Sequence, residues 1–317
     1  MGGSSARKIT VVGAGYVGQT CAQKCAEKEL AEEICLIDVL EGRPQGLALD
    51  LNQAAAIDGF GSIVHGTNEP AETAGSDLVI VTAGKPRKPG MSRSDLLSTN
   101  GQIVAEVARY VREHSSDAIV IVVTNPLDPM TQLMRAKLSF PARRVVGMAG
   151  VLDSARFSWF VAEKLGVSVK DVDAMVLGAH GDSMVPLPRA TTVNGIPLGE
   201  LLDRGALDAL AERTRNGGAE IVNLLKTGSA FFAPAAASVA MAASILRDEK
   251  RVLPATCLLN GEYGFEGVAV GVPAVLGRNG VERIIEVALD AEARIQMQKT
   301  VGAIEKDLEA LRGLGLL

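Results

Sequence analysis

The sequence predicts an α/β protein in which an N-terminal doubly wound parallel sheet precedes an α+β domain. Up to about residue 149, short β-branched runs alternate with helical patterns, and the first run leads into a glycine-rich turn. From about Gly150 this alternation fades. Because 317 residues are enough for two domains, we expect one domain over residues 1–149 and another over 150–317.

The first predicted unit is a strand, a glycine turn, a helix and a second strand that ends in an acid. Lys8 to Val12 predicts the first strand, Tyr16 to Glu29 the helix, and Glu33 to Ile37 the second strand, which ends at Asp38. The turn between the first strand and the helix reads Gly13-Ala14-Gly15-Tyr16-Val17-Gly18. Its glycines permit a tight turn and close approach of a pyrophosphate, and the helix N-terminus offers N–H donors to phosphate.

Asp38 follows Gly18 by twenty residues, the separation typical of the acid in dinucleotide-binding units. Its carboxylate would accept hydrogen bonds from the adenosine ribose and would repel a 2′-phosphate, which favours NAD over NADP. The alternative is a tight turn without a ligand, in which Asp38 is an ordinary strand-end residue. The strand, the helix and the acid together favour the dinucleotide site.

Two further apolar runs predict strands that are buried on both faces. Residues 77–84 and residues 118–126 form these runs, Leu96 to Arg112 predicts the helix between them, and Arg144 to Gly147 predicts another short strand. In a doubly wound sheet, ligands bind at the carboxyl ends of the strands, where the second run ends in Val123, Thr124, Asn125 and Pro126.

A loop with four cations separates the first of these runs from its helix. Residues 85–95 contain Lys85, Arg87, Lys88 and Arg93 together with two prolines and a glycine. By composition alone this segment is a solvated surface loop. Its position at the carboxyl end of a predicted strand favours a role in binding an anion.

The second half combines helices with antiparallel strands. Leu152 to Leu165 predicts a helix, and a spacing of three places Asp153 and Arg156 near one face of it. His180 lies in a glycine turn, and residues 193–196, Val-Asn-Gly-Ile, predict a type I′ hairpin. The rest is expected to be helical, including an uncharged helix over residues 227–246 and an amphipathic terminal helix with Val301, Ile304, Leu308 and Leu311 on one buried stripe.

The composition excludes several classes of function. A net charge of −5 and 3% aromatic residues provide neither a basic field nor stacking platforms for nucleic acid. The N-terminus lacks an apolar signal region, and the uncharged stretch at 227–246 contains Pro234 and many small residues, so we expect no membrane insertion. Four cysteines without zinc-ligand spacing indicate no metal site and reduced thiols in a cytoplasmic protein.

Several motifs, in order along nearly the whole chain, resemble the lactate/malate dehydrogenase family, and most closely its malate dehydrogenases of the lactate dehydrogenase-like type. They are the glycine turn, Asp38, Thr82-Ala83-Gly84, the arginine-containing loop, Val123-Thr124-Asn125-Pro126, Leu152-Asp153-Ser154-Ala155-Arg156, Gly178-Ala179-His180-Gly181-Asp182 and Val185-Pro186-Leu187. The resemblance implies a Rossmann domain that binds NAD and a second domain that binds the substrate.

The resemblance implies a role for each residue that carries it. His180 is expected to be the catalytic acid/base, Asp153 to orient its imidazole, and Arg156 to bind the C1 carboxylate of the substrate. A lone histidine, without this motif around it, is more often a structural residue. Cofactor contacts are implied at Asn100, Val123, Thr124 and Asn125 in addition to the glycine turn and Asp38, and Asn125 is also expected to contact the substrate.

The loop is expected to choose the substrate. Arg93 would polarise the substrate oxygen, and Arg87 would pair with a second carboxylate where lactate enzymes usually carry glutamine. The resemblance thus implies interconversion of (S)-malate and oxaloacetate, a tricarboxylic acid cycle reaction, by a homodimer or homotetramer. Ser229 and Ala230 match a region that lines the substrate pocket. A lactate or other 2-hydroxyacid dehydrogenase and a non-catalytic NAD-binding protein are the alternatives.

Overall fold

The structure, a computed structural model, describes residues 7–86 and 92–317, with all their side chains except that of Arg93. Its strands, in chain order, are β1 (Lys8–Val12), β2 (Glu33–Ile37), β3 (Ile63–Thr67), β4 (Leu78–Val81), β5 (Ile119–Val122), β6 (Val145–Gly147), β7 (Val172–Asp173), β8 (Val176–Leu177), β9 (Val185–Pro186), β10 (Thr192–Val193), β11 (Ile196–Pro197), β12 (Arg251–Asn260), β13 (Glu266–Gly277) and β14 (Gly280–Ile284). Its helices are α1 (Tyr16–Glu27), α2 (Arg43–Asp58), α3 (Arg93–His114), α4 (Leu127–Leu138), α5 (Gly150–Leu165), α6 (Leu198–Leu201), α7 (Arg204–Leu225), α8 (Phe232–Leu246) and α9 (Ala291–Gly313).

Six parallel strands confirm the doubly wound sheet predicted for the N-terminal half. Their order is β3-β2-β1-β4-β5-β6, so the direction of winding reverses between β1 and β4. The central strands β4 and β5 are buried along their whole length, as their apolar sequences require. The reversal opens a crevice at the carboxyl ends of β1 and β4, where the glycine turn begins.

The same sheet continues into the C-terminal half. Strands β12, β13 and β14 are antiparallel and join the edge of β6 through the pairing of Thr256 with Gly147. The expectation of a mostly helical second half was therefore wrong in this segment, because two strands of ten and twelve residues follow α8. As a result, one sheet runs through both halves of the chain, and α5 contacts β12 directly.

Other predicted elements have the expected positions. The hairpin between β10 and β11 turns at Asn194 and Gly195, both with positive φ, as a type I′ turn requires. The stripe on α9 is buried at all four predicted positions. Helix α3 begins at Arg93, three residues earlier than predicted, because Ser92 and Asp95 form a capping box.

Small side chains let α1 and α8 approach closely. Both helices present buried alanine, serine or cysteine side chains, and the two helices are in contact. Helix α8 begins at Phe232 rather than at Thr227, so Ser229 and Ala230 precede the helix. Within the described residues, no helix combines the length and the apolar character that crossing a membrane requires.

Candidate active site

The glycine turn between β1 and α1, residues 13–18, hereafter the cofactor turn, is shaped by close backbone contacts. A Cβ atom at Gly18 would lie 1.7 Å from the carbonyl oxygen of Gly13, and Gly13 itself has a φ of +99°. A Cβ at Gly15, in contrast, would meet nothing within 4 Å. Gly13 and Gly18 therefore form the turn, whereas the backbone at Gly15 is open to a ligand, as a pyrophosphate site demands.

Asp38 connects the end of β2 to this turn. One carboxylate oxygen accepts the N–H of Ala14 at 2.6 Å and the other accepts the N–H of Leu40 at 2.9 Å. An ionised carboxylate has acceptor capacity beyond these two bonds, so it can still bind ribose hydroxyls. Arg43, which the sequence analysis missed, donates from Nε to the carbonyl of Ala14 at 2.7 Å. The role of Arg43 at the turn can be recognised from this contact and not from its sequence context.

The carboxyl ends of β4 and β5 are held together by polar side chains. Thr124 donates from its hydroxyl to the carbonyl of Ala83 at 2.6 Å. The Asn100 side chain is 1% exposed and bonds with its amide to both backbone groups of Lys85 and to the carbonyl of Asn125. Asn100 thus fixes two strand-end loops. Its direct contact with a cofactor stays a prediction, as do those of Val123 and Asn125, which lie at the crevice.

His180 and Asp153 are brought together although 27 residues separate them. Asp153 lies in the first turn of α5 and is 2% exposed, and its Oδ2 atom is 3.0 Å from Nδ1 of His180. If Nδ1 donates in this bond, Nε2 is left as the acceptor for a substrate proton. The positive φ values of Gly178 and Gly181 allow residues 178–182, hereafter the histidine turn, to direct His180 towards α5.

Arg156 uses the other oxygen of the same carboxylate. Its Nη1 atom lies 3.3 Å from Oδ1 of Asp153, one helical turn away on α5. Its Nε atom is buried and has no hydrogen-bond partner within the described residues. Buried polar groups are normally satisfied, so this free donor points to a bound acceptor such as a carboxylate. Gly217 and Gly218 of α7 leave space beside the guanidinium.

A buried carboxylate that the sequence analysis missed, Asp128, supports the histidine turn from below. It lies in the first turn of α4, is 2% exposed, and accepts the backbone N–H of His180 at 3.0 Å. Its other oxygen accepts the hydroxyl of Thr256 on β12 at 2.8 Å. Burial raises the pKa of Asp128 to about 6, and its two hydrogen bonds oppose that shift.

The electrostatic surroundings of His180 favour the imidazolium. Burial lowers the pKa of the imidazole, but the charge and hydrogen bond of Asp153, with a smaller contribution from Asp128, outweigh burial and the opposing charge of Arg156. The pKa of His180 is therefore raised above its ordinary value. An imidazole can accept a proton at its free nitrogen and return it as the imidazolium.

The two predicted loop arginines cannot be placed. Arg87 lies outside the described residues, and the side chain of Arg93 is not described. The structure therefore brings together His180, Asp153 and Arg156 in one cluster and the cofactor turn with Asp38 in another. The loop that was predicted to discriminate between substrates begins at Lys85, next to Asn100 at the same edge of the sheet.

Other reactive groups do not form a competing site in the part of the chain that the structure describes. No cluster of histidine, cysteine or acidic residues there could hold a metal ion. The four cysteines are free and buried, and burial raises the pKa of Cys21 and Cys257 to about 12. Two surface cavities, of about 880 and 690 Å³, are lined by none of the predicted site residues.

Comparisons with known proteins agree with this geometry. The family model described as lactate/malate dehydrogenase, NAD binding domain, matches residues 7–147, and the one described as lactate/malate dehydrogenase, alpha/beta C-terminal domain, matches residues 150–312. A malate dehydrogenase from Roseiflexus sp. (strain RS-1) is 52% identical over 307 residues, covering 97% of this chain and 99% of the relative.

Solved structures are similar over the same length. Malate dehydrogenase from Cryptosporidium parvum has a TM-score of 0.95 at 43% identity and covers 98% of this chain and 100% of that one. Lactate dehydrogenase from the same organism, in complex with lactic acid and nicotinamide adenine dinucleotide, has a TM-score of 0.94 at 39% identity and covers 98% and 99% of the two chains. Backbone similarity alone therefore does not separate the two substrates.

Proposed function

The chain belongs to the lactate/malate dehydrogenase family, and from this premise we propose that it transfers a hydride reversibly between (S)-malate and NAD⁺, giving oxaloacetate and NADH. It is an NAD-dependent oxidoreductase of the malate dehydrogenase type. The observation that carries the proposal is the shared carboxylate of Asp153, which contacts both His180 and Arg156. A proton acceptor and a carboxylate-binding cation thereby lie in one site. The (S) configuration follows the family.

Proton transfer belongs to His180. In malate oxidation, Nε2 accepts the proton of the C2 hydroxyl while Nδ1 donates to Asp153, and the Asp153 carboxylate stabilises the resulting imidazolium. In oxaloacetate reduction, the imidazolium returns that proton to the carbonyl oxygen. When bound, the nicotinamide ring accepts or supplies the hydride.

Substrate binding uses arginine because a guanidinium matches a carboxylate in two parallel hydrogen bonds. Arg156 binds the C1 carboxylate, for which its buried Nε atom is a free donor. Arg93 polarises the reacting oxygen, Asn125 contacts the substrate at the end of β5, and Arg87 pairs with the second carboxylate of malate. The last assignment favours a dicarboxylate over lactate, since a desolvated cation without a partner is costly.

The cofactor turn suits a dinucleotide. The open backbone at Gly15 offers N–H donors at the N-terminus of α1, and Asp38 has acceptor capacity left for the ribose. The carboxylate also disfavours a 2′-phosphate, which supports NAD rather than NADP. Val123, Thr124 and Asn125 complete the cofactor site at the crevice in this proposal, with Asn100 behind them.

Exposed apolar side chains support a homo-oligomer, either a dimer or a tetramer. Ile57 on α2, Trp159 on α5 and Leu224 on α7 are 89%, 55% and 75% exposed in the isolated chain. Apolar side chains of this size are usually covered, and a symmetric contact between copies would cover them. The buried, reduced cysteines support a cytoplasmic location, and the reaction is the malate–oxaloacetate step of the tricarboxylic acid cycle.

The substrate assignment is tested by kcat/KM for oxaloacetate and pyruvate at the same saturating NADH concentration. We expect oxaloacetate to be strongly preferred. Arg87→Gln should lower kcat/KM for oxaloacetate by about 2–5 kcal/mol, the effect of losing one buried charge partner, and should leave pyruvate little changed. A preference of the unmodified enzyme for pyruvate would instead favour a lactate dehydrogenase.

A further inference from the structure

Asp128 is a buried acid at the catalytic cluster, and the proposed mechanism gives it no role. Its carboxylate is buried and makes two hydrogen bonds, one to the backbone N–H of His180 at 3.0 Å and one to the hydroxyl of Thr256 at 2.8 Å. These bonds connect three separate parts of the molecule, namely the first turn of α4, strand β12 and the histidine turn. Through them, the backbone of His180 is tied to helix α4 and, by way of Asp128, to strand β12.

A neighbouring cation partly offsets the negative charge of Asp153, whereas the described residues provide no such cation for Asp128. The Asp153 carboxylate is shared with Arg156, so part of its negative charge is offset by a guanidinium at 3.3 Å. Asp128 has no cationic side chain within hydrogen-bond or ion-pair distance among the described residues. Within the described residues, the charged groups that act on the pKa of His180 are Asp153 and Arg156 on α5 and Asp128 on α4. Asp128 supplies the uncompensated negative charge.

We propose that Asp128 is a positioning residue that holds the backbone of His180 in place and stabilises the protonated form of its imidazole. This inference rests on the proposed function for its catalytic meaning, but the contacts that carry it do not depend on a substrate. A second buried negative charge at this place stabilises the imidazolium that forms during malate oxidation.

Asparagine and alanine separate the two tasks of Asp128. In Asp128→Asn, the amide oxygen can still accept the N–H of His180, and the hydroxyl of Thr256 can turn to accept from the amide nitrogen. This variant therefore keeps the connection and removes the charge. In Asp128→Ala, both the connection and the charge are lost.

The first readout is the pKa of His180 itself, followed by NMR titration of labelled histidine rings. The chain has only three histidines, and His180→Asn identifies the signal. We expect Asp128→Asn to lower the pKa of His180 by about half a unit to one unit, as the loss of a nearby opposite charge predicts. This measurement needs no substrate, so it stands even if the enzyme does not act on malate.

The second readout is the pH dependence of kcat/KM. Malate oxidation requires neutral His180, so its rate rises with pH through the pKa of His180, and in Asp128→Asn this rise should move to lower pH. In the oxaloacetate direction, kcat/KM falls at high pH as His180 loses its proton, and in Asp128→Asn this fall should also move to lower pH. Asp128→Ala should show this shift and, in addition, a kcat at least tenfold lower than that of Asp128→Asn.

Thr256 provides a matched pair of variants. Thr256→Val removes the hydroxyl that stabilises the Asp128 carboxylate, and it should move the His180 titration in the same direction as Asp128→Asn, by a smaller amount. Thr256→Ser retains the hydroxyl and should leave the pKa of His180 near that of the unmodified protein. The pair separates the hydrogen bond from changes in packing, because both substitutions alter the same buried position.

An unchanged pKa of His180 in both Asp128→Asn and Thr256→Val would overturn the inference. A lower melting temperature with an unshifted titration would likewise contradict it, since that result would make Asp128 a purely structural residue. If Asp128→Ala does not fold, the pKa of His180 in Asp128→Asn and Thr256→Val still tests the inference. Failure of the unmodified enzyme to reduce oxaloacetate would contradict the proposed function alone.

Discussion

In each of two glycine turns of this molecule, a carboxylate accepts a backbone N–H, but the two carboxylates serve different functions. In the cofactor turn, the carboxylate of Asp38 accepts the N–H of Ala14, and in the histidine turn, that of Asp128 accepts the N–H of His180. Asp38 is half-buried, and Arg43 at the start of α2 donates to the carbonyl of the same Ala14, whereas Asp128 is buried and has no cationic partner in the described part of the chain. A carboxylate that stays accessible can bind a ligand, and one that is buried can only change the energy of its neighbours.

The comparison implies that the two turns respond differently to substitution. The cofactor turn acts through backbone shape, so steric changes should affect folding and cofactor binding. The histidine turn acts through buried charge, so changes of charge should affect turnover and its pH dependence. The predictions below test this division, beginning with the largest expected effect.

Gly18→Ala should disrupt the cofactor turn. The new Cβ would lie 1.7 Å from the carbonyl oxygen of Gly13, so the backbone must move, and we expect a loss of about 3 kcal/mol or more in the free energy of unfolding. Gly15→Ala is the matched control, since its Cβ meets nothing within 4 Å. It should melt like the unmodified protein but bind NADH about tenfold more weakly or worse. Equal melting temperatures for the two variants would contradict this account of the turn.

Arg156→Lys should weaken catalysis without affecting the cofactor. Lysine keeps the charge but cannot make two parallel hydrogen bonds to a carboxylate, so kcat/KM for oxaloacetate should fall by about 3 kcal/mol, or roughly 100-fold. The dissociation constant of NADH, measured by fluorescence, should stay the same. A variant with normal kcat/KM would show that the guanidinium does not bind the substrate.

Asp38→Asn should change cofactor choice. The amide oxygen can still accept the N–H of Ala14, but the charge that repels a 2′-phosphate is gone, and Arg43 is close to the turn. We expect the preference for NADH over NADPH, measured as a ratio of kcat/KM values, to fall by about tenfold. The pKa of His180 should not move, in contrast to the result for Asp128→Asn.

Asp128→Asn should stabilise the folded protein at alkaline pH. Because the pKa of Asp128 is raised in the folded state to about 6, its contribution to stability is present below the unfolded pKa, near 4, and is lost as the pH rises through 6. At pH 8 the carboxylate is charged and buried, and the amide removes that cost, worth on the order of 1–3 kcal/mol. Calorimetry should show a higher Tm at pH 8 and no gain at pH 4. A Tm of Asp128→Asn below that of the unmodified protein at pH 8 would contradict the predicted stabilisation.

The N-terminal half was largely predictable because its signals are local. Strands β4 and β5 are unbroken apolar runs, and the turn before α1 has glycines where backbone contacts demand them. Helix α2 was missed although Leu47, Leu51 and Ala55 pack against the core, because Leu49 and Ile57 are apolar and exposed and so obscure the helical period.

The C-terminal strands could not be recognised from local pattern. Strands β12 and β13 place Pro254 opposite Pro273, and proline normally argues against the interior of a sheet. Their junction with β6 rests on a pairing of Thr256 with Gly147, more than a hundred residues apart. A pairing between residues so far apart leaves no trace in the local hydrophobic periodicity of either segment.

The site was predictable where residue type indicates chemistry, as for His180, Asp153 and Arg156. Asp128 could not be predicted as part of the site. An acid in the first turn of a helix is usually explained by its favourable interaction with the helix N-terminus alone. Its burial and its bond to the backbone of His180 become visible only when α4, β12 and the histidine turn are assembled. The cofactor contact of Asn100 came from the family resemblance and stays a prediction, and its bonds to the loop backbone carry no sequence signal.

His180→Asn tests the central claim most directly, namely that cofactor binding and proton transfer reside in separate turns. NADH affinity and oxaloacetate turnover are measured in one preparation of the variant. We predict a dissociation constant for NADH within about twofold of the unmodified enzyme, and a kcat lower by about 10²–10⁴-fold, the range typical for loss of a general acid. Retained turnover, or loss of NADH binding in a folded protein, would contradict the account.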